Sequence, residues 1–190
     1  MALPNVHIRK EAFLIMTWAA IETFKKECFG FLLGYPPTKG KNFFSITDAV
    51  SFQRVKRFNT GVYPYKRVER KFNKFISDIS GIYPKYLGHF HSHPEWGDYL
   101  PSVDMSETDL RGFNKTPEPL EFIIGVSSRK KGQVAWESLP DGDIRGSFDK
   151  FNLHFTVYTL IQESEEATIQ KLRIVTPRSI NTLNRICAKK

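Results

Sequence analysis

Two cysteines, Cys28 and Cys187, are all that the 190 residues contain. So small a supply excludes a disulfide framework and a Cys-x-x-Cys metal knuckle, which leaves histidine and carboxylate as the ligands of any metal site. Long apolar runs are missing too. The most continuous, Cys28-Phe29-Gly30-Phe31-Leu32-Leu33-Gly34, falls far short of the roughly 20 residues a membrane helix needs. The sequence shows no basic-then-apolar leader, internal repeat, low-complexity tract or linker, so a soluble, cytoplasmic protein with no membrane partner is expected.

What is present suits a packed core: 41% hydrophobic residues and 14% aromatics, 16 of them Phe, against 25% charged residues. That composition excludes disorder as the main state, and the length predicts one α/β domain over residues 1–190. Lys and Arg outnumber Asp and Glu by 28 to 20, a net charge of +8 that favours acidic partners. The basic stretch Arg54, Lys56, Arg57, Lys66, Arg67, Arg70, Lys71 and Lys74 carries no recognisable nucleic-acid module, so a solvated face or an acidic protein partner is expected rather than nucleic acid.

Apolar spacing predicts a helix over 10–25, with Phe13, Met16, Trp18, Ala20, Ile21 and Phe24 on its buried face, and a second over 65–79. Strands are predicted at 28–33, 43–52, 86–92, 120–127 and 133–138, with an exposed loop over 53–65. This core, about 5–138, is followed by a C-terminal strand/helix extension over 148–190, in which 151–161 and 167–175 read as a hairpin before a short tail.

Chemistry concentrates at Leu87-Gly88-His89-Phe90-His91-Ser92-His93-Pro94, which holds three of the five histidines. On a strand, alternate residues share a face, so His89, His91 and His93 line one side and Phe90 and Ser92 the other. Imidazoles so placed could share a zinc, which as a catalytic ion takes three protein ligands and keeps one position for water. Four acidic candidates stand among the residues that follow Pro94: Glu95, Asp98, Asp104 and Asp109. Asp104, on the first turn of a helix capped by Ser102, is the best placed to return to the histidines, whereas Asp109 reads as the capping partner of Ser106. Glu27 stands in an otherwise apolar strand, where an unpaired carboxylate is costly to bury. Cys28 reads as a small buried hydrophobe. Trp96 and Tyr99 are candidates for the rim of a substrate groove.

These residues resemble the JAMM/MPN-plus metalloproteases, whose signature is a Glu in an early strand followed by His-x-His-x(10)-Asp. Ten residues separate His93 from Asp104, and Glu27 to Gly34 looks like the family's Glu-strand. The resemblance implies an MPN-type fold, a mixed sheet flanked by helices in a three-layer arrangement similar to cytidine deaminases. It implies zinc on His91, His93 and Asp104, with Glu27 as general base. The implied reaction is hydrolysis of the amide or isopeptide bond after the C-terminal tail of ubiquitin or a ubiquitin-like protein, by a chain acting alone, as a homodimer or beside a second MPN-like subunit.

The family also places a Ser three residues before the Asp ligand, to support the oxyanion. Pro101 stands there in this register. Either a shifted loop lets Ser102 substitute as the donor, or the enzyme is slow, or its substrate is unusual, and His89 supports the ligands from behind or lines the groove. A scaffold that binds a ubiquitin-like or other partner protein without cleaving it is the competing expectation, and zinc-dependent nucleobase deamination a remote third.

Overall fold

Short apolar runs closed by Gly and Pro form strands here, and longer segments with apolar residues three and four apart form helices. The computed structural model describes residues 3–53, 55–58, 61–79, 84–115, 119–163 and 166–188. Its elements are β1 (Asn5–Ile8), α1 (Lys10–Glu22), β2 (Phe29–Tyr35), β3 (Phe43–Ser51), β4 (Val55–Phe58), β5 (Gly61–Pro64), α2 (Lys66–Ile79), β6 (Lys85–Pro94), α3 (Glu107–Lys115), β7 (Leu120–Ser128), β8 (Glu137–Ser138), β9 (Ile144–Phe148), β10 (Phe151–Glu163), β11 (Glu166–Lys171), β12 (Ile174–Val175) and α4 (Pro177–Cys187).

A ten-stranded mixed sheet runs in the order β12-β1-β3-β2-β6-β7-β10-β9-β8, with β11 also paired to β10. β6 lies parallel to β7 and antiparallel to β2. The central strands β2 and β7 are buried on both faces, which is why their sequences are nearly continuous apolar runs. On one face, Phe13 and Met16 of α1 and Leu183 of α4 pack against Leu32, Ile46, Phe90, Phe122 and Phe155. On the other, Val68 and Phe72 of α2 cover Phe29, Phe31, Phe52 and Val55, with the Phe31 and Phe72 rings 4.7 Å apart. The architecture is therefore α/β, a mixed sheet with helices on both faces. No helix among the described residues is long and apolar enough to cross a membrane.

β6 carries the histidines and changes face partway. Tyr86 packs with Phe31 below α2, yet Leu87 joins the core under α1 and His89 returns to the α2 side, 5.3 Å from the ring of Phe29. A register shift opposite Leu32 and Leu33 makes this possible. Gly88 sits in it with φ at +138°, and a Cβ there would lie 1.8 Å from the Leu120 carbonyl oxygen. Only glycine fits both the backbone and the approach of β7.

Several sequence expectations need correction. Trp18 is 59% exposed, because Ala12, Phe13, Met16, Thr17, Ala19 and Ala20 form the buried face of α1 and Trp18 points away from it. Residues 53–65, expected as a loop, contain the β4–β5 hairpin, while Arg54 lies outside the described residues. Of the strand expected over 133–138 only Glu137 and Ser138 pair with the sheet. Trp136 is instead buried and held by Asn184, whose Oδ1 accepts its N–H at 2.7 Å. The supposed C-terminal tail is α4, started by Pro177 in its first turn.

Replacing Gly88 by Ala should cost about 1–3 kcal/mol from the backbone alone, plus the clash with Leu120. Denaturant unfolding of the variant should show a midpoint well below wild type with an unchanged m-value.

Candidate metal centre

The alternation along β6 turns His89, His91 and His93 to the sheet face that α2 and α3 cover. The hydroxyl of Ser92 turns the other way and accepts the Cys28 N–H at 2.8 Å. Phe29 pairs with His91 across the β2–β6 ladder. The ladder ends at that pair, and the chain before it brings Glu27 into the cleft that the three histidines line. Glu27 thus lies just before β2 rather than within it, 6% exposed, while Cys28 is fully buried.

Glu95, the first acid after Pro94, secures this end of the sheet. Its carboxylate accepts the N–H and hydroxyl of Ser128 at 2.9 and 2.6 Å and pairs with Lys25 at 3.3 Å.

α3 supplies the acid that faces the histidines. Ser106 precedes its first residue, the Ser106 N–H donates to Asp109 Oδ2 at 2.8 Å and the Asp109 N–H donates to Ser106 Oγ at 3.2 Å. This is the reciprocal cap that the Ser-x-x-Asp spacing predicts. The same carboxylate reaches further, its two oxygens lying 3.4 Å from His91 Nε2 and 3.4 Å from His93 Nε2, and the two nitrogens are 3.1 Å apart. Ligands at the 2.0–2.1 Å typical of zinc, set at tetrahedral corners, are separated by about 3.3–3.4 Å. One atom from each of these three residues lies within 4.8 Å of the others, close enough for the set to hold a metal ion.

A third carboxylate lies behind the histidines. Glu121 of β7 is 2% exposed, and its Oε1 is 2.7 Å from His91 Nδ1 while its Oε2 is 2.6 Å from His89 Nε2. His89, His91 and Glu121 are also close enough to hold a metal. Their separations, however, are those of paired imidazole and carboxylate and too short for the edges of a zinc tetrahedron. His93 has a different support, the Ser102 carbonyl oxygen 2.8 Å from its Nδ1.

The electrostatics follow from burial and pairing. Burial opposes a charged His91, but Asp109 and Glu121 outweigh it and raise the imidazole to about 10. Burial would raise Asp109 and Glu121, yet the histidines beside each hold both below the usual carboxylate range. Glu27 lacks so close a partner. Burial pushes it up to about 7, only partly opposed by His91 and His93. A cation bound between His91, His93 and Asp109 would take the place of a proton, so binding would release protons.

Asp104, expected as the third ligand, is exposed and does not face the histidines. The Ser102 hydroxyl donates to its Oδ2 at 3.1 Å and accepts its N–H at 3.0 Å. The helix expected to begin at Ser102 begins instead at Glu107. The side chain of Ser102 is spent on Asp104, so its contribution to the centre is its backbone carbonyl. With Asp109 as the acid, the residue three positions before it is Ser106, not Pro101.

Trp96 and Tyr99 bond to each other's backbone in a tight turn through Gly97 and Asp98, and both side chains are more than half exposed at the mouth. The whole arrangement opens into a cleft of about 590 Å³ lined by Glu27, the three histidines, Ser106 and Asp109, with Tyr63, Trp96 and Tyr99 at its edge.

Glu121 escaped the sequence reading because nothing local marks it. Only the pairing of β6 with β7 brings it to His89.

No protein-family model matches the chain, and no curated protein matches it.

Metal content separates the two candidate acids. Asp109→Asn should lose most bound zinc, and Asp104→Asn should keep about one per chain, as measured by elemental analysis after dialysis. Retention by Asp109→Asn together with loss from Asp104→Asn would reverse the assignment.

Proposed function

We propose that the chain is a zinc-dependent hydrolase of the amide or isopeptide bond that follows the C-terminal tail of ubiquitin or a ubiquitin-like protein. The observation that carries this reading is the joint placement of a His91–His93–Asp109 donor set and the buried carboxylate of Glu27 in one open cleft. His, His and carboxylate with one remaining position is the donor pattern of catalytic zinc rather than of closed structural sites.

His91, His93 and Asp109 would hold the ion, which when bound supplies a Lewis acid and lowers the pKa of a water to about 7. Glu27, which shares the cleft with His91 and His93, would take a proton from the attacking water and return it to the leaving nitrogen. Water thus adds across the C–N bond, its oxygen going to the carbonyl carbon and a proton to the amine. Ser106 keeps its hydroxyl proton while its oxygen accepts the Asp109 N–H, so it can donate to the oxyanion. The scaffold reading rests on Pro101, and Ser106, three positions before Asp109, removes that ground. Tyr63, Trp96 and Tyr99 offer the mouth of the cleft apolar surface for an extended tail. The exposed bases of α2, Arg67, Arg70, Lys71 and Lys74, suit an acidic partner surface.

The test is cleavage of ubiquitin-like conjugates by the zinc-loaded chain. Glu27→Gln should lower the rate at least about 10²-fold with metal content unchanged, and chelation should abolish cleavage. Turnover that survives both treatments would sink the mechanism.

At saturating zinc, Ser106→Ala should also carry about one ion per chain and turn over about 10²- to 10³-fold more slowly. Loss of the cap should lower its stability by only about 1 kcal/mol, so the rate and the unfolding midpoint report separate roles of one hydroxyl.

A further inference from the structure

We infer that Glu121 and His89 form a positioning pair that orients His91 and sets the affinity of the metal centre. The inference rests on the reading of His91, His93 and Asp109 as metal ligands.

Glu121 stands in an apolar strand, flanked by Leu120, Phe122 and Ile123, each at 0% exposure. A carboxylate in such a place is strongly disfavoured without partners, and Oε1, which lacks a hydrogen bond of good geometry, has the His91 ring at ion-pair distance as its compensation. The parallel register of β6 and β7 sets Glu121 directly beside His89. Its side chain, on the histidine face, is then within 2.7 Å of one imidazole and 2.6 Å of another.

The first contact determines how His91 is presented. Its Nδ1 faces Glu121, so its Nε2 is the nitrogen turned to His93 and Asp109. A carboxylate at the far nitrogen fixes the tautomer, stops the ring from turning and makes the imidazole a stronger donor. His93 has a neutral carbonyl in the equivalent position, so His91 is the ligand with charged support.

The second contact keeps the first in place. Without His89, Oε2 would lose its 2.6 Å partner and the carboxylate would be free to turn away from His91. His89 is itself steadied by the ring of Phe29 at 5.3 Å. It therefore acts through Glu121 and does not need to touch the ion.

The experiment is competition between a chromophoric chelator and the metal-free chain for zinc, repeated with cobalt to record the ligand-field spectrum. Glu121→Gln should raise the zinc Kd about ten- to a hundred-fold and shift the cobalt absorption. His89→Phe should weaken zinc in the same direction. His89→Gln, which offers Oε2 an amide N–H, should restore affinity, a recovery that general loss of packing would not show. Melting of each metal-free variant establishes that it is folded, and the two His89 variants carry the test if Glu121→Gln does not fold. Wild-type zinc affinity and cobalt spectrum in folded Glu121→Gln and His89→Phe would overturn the inference. A wild-type chain that binds neither zinc nor cobalt would overturn the metal reading beneath it, and the two failures are told apart by the wild-type titration.

Discussion

Glu121 can be buried, and Asp109 half-buried, on this sheet face because imidazoles lie beside them. Asp109 arrives from a helix and meets His91 and His93, while Glu121 arrives from the neighbouring strand and meets His91 and His89. His91 is common to both contacts, so the two acids and three bases form one matched set in which removal of a member leaves a buried charge without its counterpart. The rest of the fold serves this balance. β2 and β7 flank the histidine strand, α2 shields the aromatic floor, and the turn at Gly88 aims alternate residues of β6 into the cleft.

Glu27 stands apart from the set. It is near enough to feel the charge of His91 and His93 but has no close partner of its own, which leaves burial as the dominant influence on it. Its position is nevertheless tightly specified. The Cys28 N–H is tied to Ser92, in the middle of the histidine strand, and Lys25 is tied to Glu95, just beyond the end of that strand. A carboxylate with little electrostatic company is held by its backbone neighbours instead, an arrangement suited to a group that exchanges protons rather than one that neutralises a cation.

Much of this was legible in the sequence because it depends on local alternation. The period of two along 87–94 set the histidines on one face, and the apolar runs gave β2, β6 and β7 nearly their observed limits. The acid that faces the histidines was misplaced because spacing along a chain does not measure distance across a loop. The turn from Trp96 to Tyr99 takes up residues that a fixed count assigns to the approach, and the acid that reaches the histidines is therefore the later Asp109. Reading Asp109 as a helix cap was correct and still misleading, since one carboxylate can cap a helix and face two imidazoles. Glu121 was hidden for a different reason, because the pairing of parallel strands joined through α3 leaves no mark in either strand. α4 was obscured because Leu183 and Asn184 gain their partners from residues far away in the chain.

The double use of Asp109 makes the first turn of α3 part of the centre. Its Oδ2 accepts the Ser106 N–H and also lies 3.4 Å from His93 Nε2. Order in that turn and occupancy of the site are thus thermodynamically linked, since any ligand that needs Asp109 in place also draws free energy into winding the helix start. Substitutions at Glu107 or Thr108 that fray the turn, though remote from the histidines in chemistry, would register as weaker ion binding. The helix terminus would in turn exchange its amide hydrogens more slowly when the centre is filled.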